Sequence, residues 1–144
     1  MTMLPPQELA EASAAKLNQR DKAAGHIGLA VEAVAPGAAT IAMTVRQDLL
    51  NGLDVCHGGF IFALADTAMA YASNSRNRPA LAQTCQVTFL LPAKLGDRLT
   101  AIARETATAG RTGVYDVDVR NQDGSLIAVF RGQTRTIKGE IVSQ

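Results

Sequence analysis

At 144 residues the chain is long enough for one domain with its own core and needs no disulfide or metal staple. Hydrophobic residues make up 47% of it but aromatics only 4%, so Ala, Val, Leu and Ile must build most of that core. A net charge of +1, from 14 basic and 13 acidic side chains, gives no reason to expect nucleic acid or an anionic membrane as partner, and any anion site must be local.

Pro5-Pro6 sits where a first helical turn tolerates proline, and Leu9, Ala12 and Leu17 continue a thin apolar stripe. An outer helix is therefore expected to about Lys22. The β-rich runs Leu29 to Val34 and Thr40 to Arg46 flank Pro36-Gly37 and read as a hairpin. From Phe60 to Ala72 the chain is Phe-Ile-Phe-Ala-Leu-Ala-Asp-Thr-Ala-Met-Ala-Tyr-Ala, a helix apolar on nearly every face that the rest of the protein must wrap. It is too short, and too interrupted by Asp66, Thr67 and Ser73, to span a bilayer.

Four strands with period two follow. In the first, Cys85, Val87, Phe89 and Leu91 share one face, Thr84, Gln86 and Thr88 the other, and Pro92 closes it. Leu99, Ala101 and Ala103 alternate with Arg98, Thr100 and Arg104 in the second, and Tyr115, Val117 and Val119 with Asp116, Asp118 and Arg120 in the third. Asp123-Gly124 marks a tight turn into the last, Leu126 to Thr136. Two strands, one apolar helix and four more strands imply an α+β fold, an antiparallel sheet whose apolar face wraps the helix. With two cysteines, Cys56 and Cys85, and no secretory h-region, the chain reads as a reduced cytoplasmic protein with free thiols.

Asp66 carries the chemistry. An ionised carboxylate in so apolar a helix costs several kcal/mol, roughly, unless donors are near. At the helix start, Gly58 and Gly59 have no side chains to keep a ligand from the outward-pointing N–H groups, which suit a carbonyl oxygen acquiring negative charge. An acid plus an oxyanion site suggests acyl chemistry. Asp66 nevertheless lies eight residues beyond Gly58, roughly 12 Å along the axis at about 1.5 Å per residue. No acyl carbon can sit within about 3 Å of both on one helix. If both serve one substrate, two helices must lie antiparallel in a two-fold dimer with composite sites; such dimers pairing into a homotetramer are a further expectation.

Each candidate has a structural reading beside the catalytic one. Asp66 could pair with a Thr or Asn across a dimer seam, and Asn51 could only shape a turn with Gly52. His57, directly before the helix, suits an orienting or capping bond more than base catalysis. Cys56 lacks an acid to orient a dyad with His57. A metal held by Asp54, Cys56 and His57 would need another donor, and the remaining histidine, His26, has no link to this loop, so neither metal nor cofactor is implied. Gly110-Arg111-Thr112-Gly113 could be an ordinary hairpin turn.

Asn51-Gly52, Cys56-His57-Gly58-Gly59, Leu64-Ala65-Asp66-Thr67-Ala68, Phe89-Leu90-Leu91-Pro92, Gly96-Asp97, Gly110-Arg111-Thr112-Gly113 and Tyr115-Asp116-Val117, in that order and spacing, resemble the hot dog fold acyl-CoA thioesterases. Within the family the likeness is to the phenylacetyl-CoA and hydroxyphenylacetyl-CoA thioesterases of aerobic phenylacetate catabolism. It covers about 24–138, leaving an N-terminal helical segment, 1–23, and a C-terminal tail, 139–144. The resemblance implies that the Gly58 amide polarises the thioester carbonyl, that Asp66 of a partner subunit is nucleophile or general base, and that Asn51 holds water or the carboxylate. It places coenzyme A against loops containing Gly59, Phe89, Leu90, Leu91, Pro92 and Lys94, and Gly110, Arg111 and Thr112, with Lys94 and Arg111 toward its phosphates. Some relatives place a hydroxyl residue one turn beyond the acid, where this chain has Ala70; Thr67 points about 100° away from Asp66. A hydroxyacyl-thioester dehydratase using His57 with Asp66, and a non-catalytic acyl-CoA binding module, are the competing readings. A helix rich in Ala beside Phe60 and Phe62 suggests a compact pocket for a planar ring.

Overall fold

The computed structural model describes residues 2–144. In chain order it contains α1 (Pro6–Arg20), α2 (Lys22–His26), β1 (Ala30–Ala35), β2 (Ala38–Thr44), a 3-10 turn (Gln47–Leu49), α3 (Gly58–Ser73), β3 (Ala80–Phe89), β4 (Arg98–Ala109), β5 (Thr112–Arg120) and β6 (Leu126–Thr136). The six strands form one antiparallel sheet in the order β1-β2-β4-β5-β6-β3, and α3 packs against it, chiefly on β2, β4 and β5. The α+β arrangement expected from the sequence is the one observed.

Alternation produces this packing. Gly113, Tyr115, Val117 and Val119 of β5 are buried while their neighbours are half-buried, and Leu99, Ala101 and Ala103 of β4 turn the same way. Ala65, Ala68 and Ala72 on α3 are fully covered, so helix and sheet approach closely and Ile41, Met43, Leu64, Met69 and Ile127 fill the remaining volume. Gly132 on β6 has no alternative residue in this packing, because a Cβ there would overlap the Met69 thioether.

Several expectations need correction. The first helix is broken at Asp21, whose side chain accepts from the Ala24 N–H at 3.1 Å and starts α2; a capping carboxylate overrides the continuous stripe. β3 begins at Ala80, four residues before Thr84. β4 and β5 extend to a turn at Gly110-Arg111, where Gly110 has φ +59°. That hairpin carries a bulge between Glu105 and Ala107, beyond which the β4 arm is exposed on both faces while the β5 arm keeps its alternation from Thr112, so one-sided burial does not announce the end of β4.

Nor is α3 wrapped on every side within one chain. Ile61, Leu64, Ala65, Ala68, Met69, Tyr71 and Ala72 are buried, but Phe62, Ala63, Asp66 and Ala70 form a half-buried stripe at helical spacing. The two sheet edges also differ. β1 packs against α1, and Gln7 Nε2 donates to the Val34 carbonyl at 2.9 Å. β3 bonds only β6, and Leu81 and Phe89 on it are 62% and 49% exposed. A long, open, apolar edge of this kind invites another strand. No helix among the described residues is long and apolar enough to cross a membrane.

The side chain of Asn77 ties down the C-terminal tail. Asn77 Oδ1 accepts from the N–H groups of Ile141 and Val142, both at 2.8 Å, and its Nδ2 donates to the Val142 carbonyl at 2.8 Å. Asn77 itself adopts φ +59°, a region asparagine tolerates better than most residues. Asn77→Ala is expected to destabilise the protein by about 2–4 kcal/mol, from lost bonds and backbone strain together. Urea unfolding checks the magnitude, and limited proteolysis should show early cleavage of the tail.

Candidate active site

The start of α3 is built by its own neighbours. His57 is the N-cap, and its Nδ1 accepts from the Gly59 N–H at 2.9 Å, which places the proton of the neutral ring on Nε2. The His57 ring meets Phe60 edge-on at 6.0 Å. Phe60 and Ile61 donate to the His57 carbonyl. Among the described residues the amide left without an acceptor in this first turn is that of Gly58. It is a donor at the positive end of a 16-residue helix, and it is free to take an oxyanion.

Two loops frame that amide. The Cys56 N–H donates to the Ala93 carbonyl at 2.8 Å, and the His57 N–H to the Leu49 carbonyl at 2.8 Å. The segment after β3 is thereby fastened beside the helix start, and the Phe89 ring lies over Gly58 so closely that a Cβ there would come within 3.0 Å of Phe89 Cζ. The absence of a side chain at Gly58 thus leaves the amide uncovered and gives the ring its room. Leu90 and Leu91 are each 49% exposed, Pro92 and Lys94 are exposed, and the Lys94 N–H donates to Asp97 Oδ2 at 2.8 Å. Asp97, which also accepts from Gln122 Nε2 at 2.9 Å, shapes this loop; these bonds hold its carboxyl below the usual range. In the sequence, Gly96-Asp97 signals a turn and nothing more of this clamp.

Asn51 has a clear structural use. Its Oδ1 accepts from the N–H groups of Leu53 at 2.9 Å and Val55 at 3.3 Å, fixing the loop before Cys56 as an Asx turn. Its Nδ2 has no acceptor among the described residues and remains available to a ligand. Cys56 is buried and free, and burial pushes its thiol up to about 11, so it stays protonated at neutral pH.

Asp66 is half-buried at the middle of α3. Loss of water alone raises its carboxyl above the usual range, and no described side chain or backbone donor satisfies it. Its charge in turn helps hold up the free Cys85 thiol on β3, after desolvation, which places Asp66 toward the open sheet edge. Thr67 cannot assist it, because its hydroxyl donates to the Ala63 carbonyl at 2.7 Å.

The residues expected at coenzyme A do not converge in one chain. Phe89 to Lys94 lie at the start of α3, whereas Gly110 and Thr112 line a cavity of about 310 Å3 together with Ser73, the last residue of α3. Arg111 is nearby, its Nε donating to the Thr136 carbonyl at 3.1 Å, and it lines a neighbouring cavity with Arg78 and Lys138. The helix holds these two groups roughly 20 Å apart. Among the described residues no three His, Cys, Asp or Glu side chains cluster to hold a metal ion.

Residues 53–128 match the model of the thioesterase superfamily. The chain belongs to that superfamily. The acyl-coenzyme A thioesterase PaaI of Escherichia coli (strain K12) is 41% identical over 126 residues, 88% of this chain and 90% of that protein. The structure of the E. coli PaaI protein from the phenylacetic acid degradation operon superposes with a TM-score of 0.93 at 39% identity, covering 94% of this chain and 99% of that one. A Streptococcus mutans protein, smu.793, bound to acetyl CoA superposes at 0.74 with 27% identity, covering 78% and 90%. By sequence and structure the chain is a PaaI-like thioester hydrolase with the hot dog fold.

The environment of Asp66 has a thermodynamic consequence. Its folded pKa is raised, so the folded state holds this proton more tightly than the unfolded one, and ionisation above the unfolded value of about 3.9 weakens folding. Asp66→Asn is therefore expected to raise Tm at pH 7. The gain should shrink as pH falls through the carboxyl's titration and vanish below both pKa values. Scanning calorimetry of the two proteins between pH 3 and 8 measures it.

Proposed function

We propose that the protein hydrolyses aryl-acetyl-CoA esters, phenylacetyl-CoA and its ring-hydroxylated forms, to the free acid and coenzyme A, in a cytoplasmic route of phenylacetate catabolism. The observation that carries the chemistry is the pairing, on one apolar helix, of a free first-turn amide at Gly58 with a donorless, half-buried carboxylate at Asp66. The aryl-acetyl substrate is supported by the operon named for the E. coli relative, and coenzyme A as carrier by that relative's name and by the acetyl CoA in the S. mutans structure. Two free cysteines accord with a reducing compartment.

In this reading two chains meet along their β3 edges with their α3 helices antiparallel. Each then offers Gly58 to the partner's Asp66, and the two coenzyme A loops, remote within one chain, come together across the interface. The thioester carbonyl oxygen takes the Gly58 N–H and gathers charge there as the carbon becomes tetrahedral. The ionised Asp66 either removes a proton from attacking water or attacks to form an anhydride that water then opens. In both routes the C–S bond breaks, coenzyme A leaves as the thiol after protonation, and water supplies the acid's new oxygen. Asn51 Nδ2 serves to hold the water or the carboxylate, while His57, with Nδ1 engaged at Gly59, serves as a cap. That engagement favours hydrolysis over the dehydratase reading, which needs His57 to handle a proton.

Asp66→Asn should lower kcat by roughly 10² or more while the fold and dimer persist, because the amide matches the shape of the acid but is neither anion nor base. Turnover near wild type in a thiol-release assay would remove Asp66 from the mechanism. Mixing Asp66→Asn subunits with Gly58→Leu subunits should restore activity, one site of each hybrid being intact. Inactive mixtures, with subunit exchange verified by mass, would contradict a composite site. Phenylacetyl-CoA should exceed palmitoyl-CoA in kcat/KM by at least roughly tenfold, about 1.4 kcal/mol of transition-state binding; equal rates below the micelle-forming concentration would end the aryl assignment.

A further inference from the structure

One turn beyond Asp66 on the same stripe, Ala70 opens onto a cavity of about 400 Å3 between α3, the end of α1 and the C-terminal tail. Leu17, Pro79, Leu81, Ile137 and Ile141 give it apolar walls. Ala70 lies four positions beyond Asp66, about 6 Å along the axis, so an acyl group with its carbonyl at the carboxylate reaches this space with its next few atoms. The absence of a side chain beyond Cβ at Ala70 keeps the passage open.

The far side of the cavity is polar in one place. Tyr71, whose residue is 2% exposed, donates its hydroxyl to Asp21 Oδ2 at 3.4 Å, well beyond the usual 2.7–2.8 Å or so for such a bond. Asp21 Oδ1 is occupied as the cap of α2, but Oδ2 has room for a second donor and the phenolic oxygen keeps its lone pairs. Asn74, which also lines the cavity, is engaged on both ends, accepting from the Ala80 N–H and donating to the Ala70 carbonyl. Arg20 and Glu140 stand at the exposed rim. An apolar slot that ends on an under-bonded hydroxyl and carboxylate suits a ligand with an apolar body and a polar far edge.

We propose that this cavity holds the ring of the acyl group and that Tyr71 and Asp21 read a hydroxyl on the ring's far edge: the ligand oxygen takes over the Tyr71 O–H from its long bond to Asp21, and the ligand's own O–H donates to Asp21 Oδ2 in its place. The proposal rests on the aryl-acetyl reading above. Residues 1–23 and 139–144 then close the acyl pocket of the domain formed by 24–138, with Asp21 supplied from the first segment and Ile141 from the second.

The test compares kcat/KM for phenylacetyl-CoA and for its 3-hydroxy and 4-hydroxy forms on wild type, Tyr71→Phe and Asp21→Asn, with Tm measured for each. Asn retains the cap oxygen of α2 and removes the charged acceptor. In wild type the better hydroxylated ester should exceed the plain one, and that ratio should fall by about tenfold in each folded variant, mainly through KM. A purely structural tie between Tyr71 and Asp21 would move Tm and leave the ratio in place, which overturns the proposal. So does a wild-type ratio of one or less, a result that requires no variant to fold. If wild type turns over another acyl-CoA but neither aryl ester, the aryl-acetyl reading itself falls; if phenylacetyl-CoA is hydrolysed well and the ratio does not respond, the ring-hydroxyl reading alone falls.

Discussion

An ionisable carboxylate held partly out of water, with no donor to satisfy it, is the constraint around which this fold is arranged. Asp66 is expensive for the folded state, and the helix that carries it must be positioned by other contacts. Those contacts are the fully buried Leu64, Ala65, Ala68 and Ala72 of α3 against Ile41, Met43, Leu99 and Val119 of the sheet. Small side chains at the contact bring helix and sheet close, and the cost of one charged residue is offset by many apolar ones. A half-buried charge of this kind leaves the chain below the stability its scaffold could reach.

The same helix separates what it carries. Its first-turn amide, its acid and the Ser73 end with the Arg111 loop are spread along about 24 Å of axis, each at a different level. Within one chain the Gly58 amide, Asp66 and the Arg111 loop therefore do not meet at one point. The half-buried stripe of α3 and the unpaired edge of β3 adjoin one another through Asp66 and Cys85, and both are surfaces that an isolated chain leaves unfinished. In the proposed dimer an antiparallel partner covers the stripe, pairs the edge and brings each amide to an acid.

Legibility in the sequence followed the number of residues that shared one physical demand. α3 was plain because 12 of the 13 residues from Phe60 to Ala72 are apolar or small neighbours of the core with a lone acid among them, and β5 was plain where Tyr115, Val117 and Val119 face the helix. The end of β4 was not, since beyond Glu105 both its faces are exposed and the one-sided burial that creates alternation is lost. The break at Asp21 turns on one capping carboxylate inside an otherwise continuous helical pattern. Candidate site residues divided in the same manner. Gly58 and Asp66 could be named from local chemistry, whereas the Phe89 ring over Gly58, the Asp97 clamp and the Tyr71–Asp21 pair join residues 25 to 50 positions apart or depend on loop closure, which no local pattern encodes.

Burial acts on three acids here with opposite consequences. It pushes the Cys56 thiol up to about 11, and it raises the Tyr71 phenol still further from neutrality, aided by the negative charge of Asp21. Both groups therefore stay protonated, the thiol inert as a nucleophile and the phenol fixed as a donor. Asp66 starts on the other side of neutrality, so the same loss of water moves it toward the working pH and makes the carboxylate a stronger base than one in solution. One physical effect thus keeps the Cys56 thiol protonated, keeps the Tyr71 phenol a hydrogen-bond donor, and makes the Asp66 carboxylate more basic. What distinguishes Asp66 from the other two is its starting pKa together with its place on the half-buried stripe of α3.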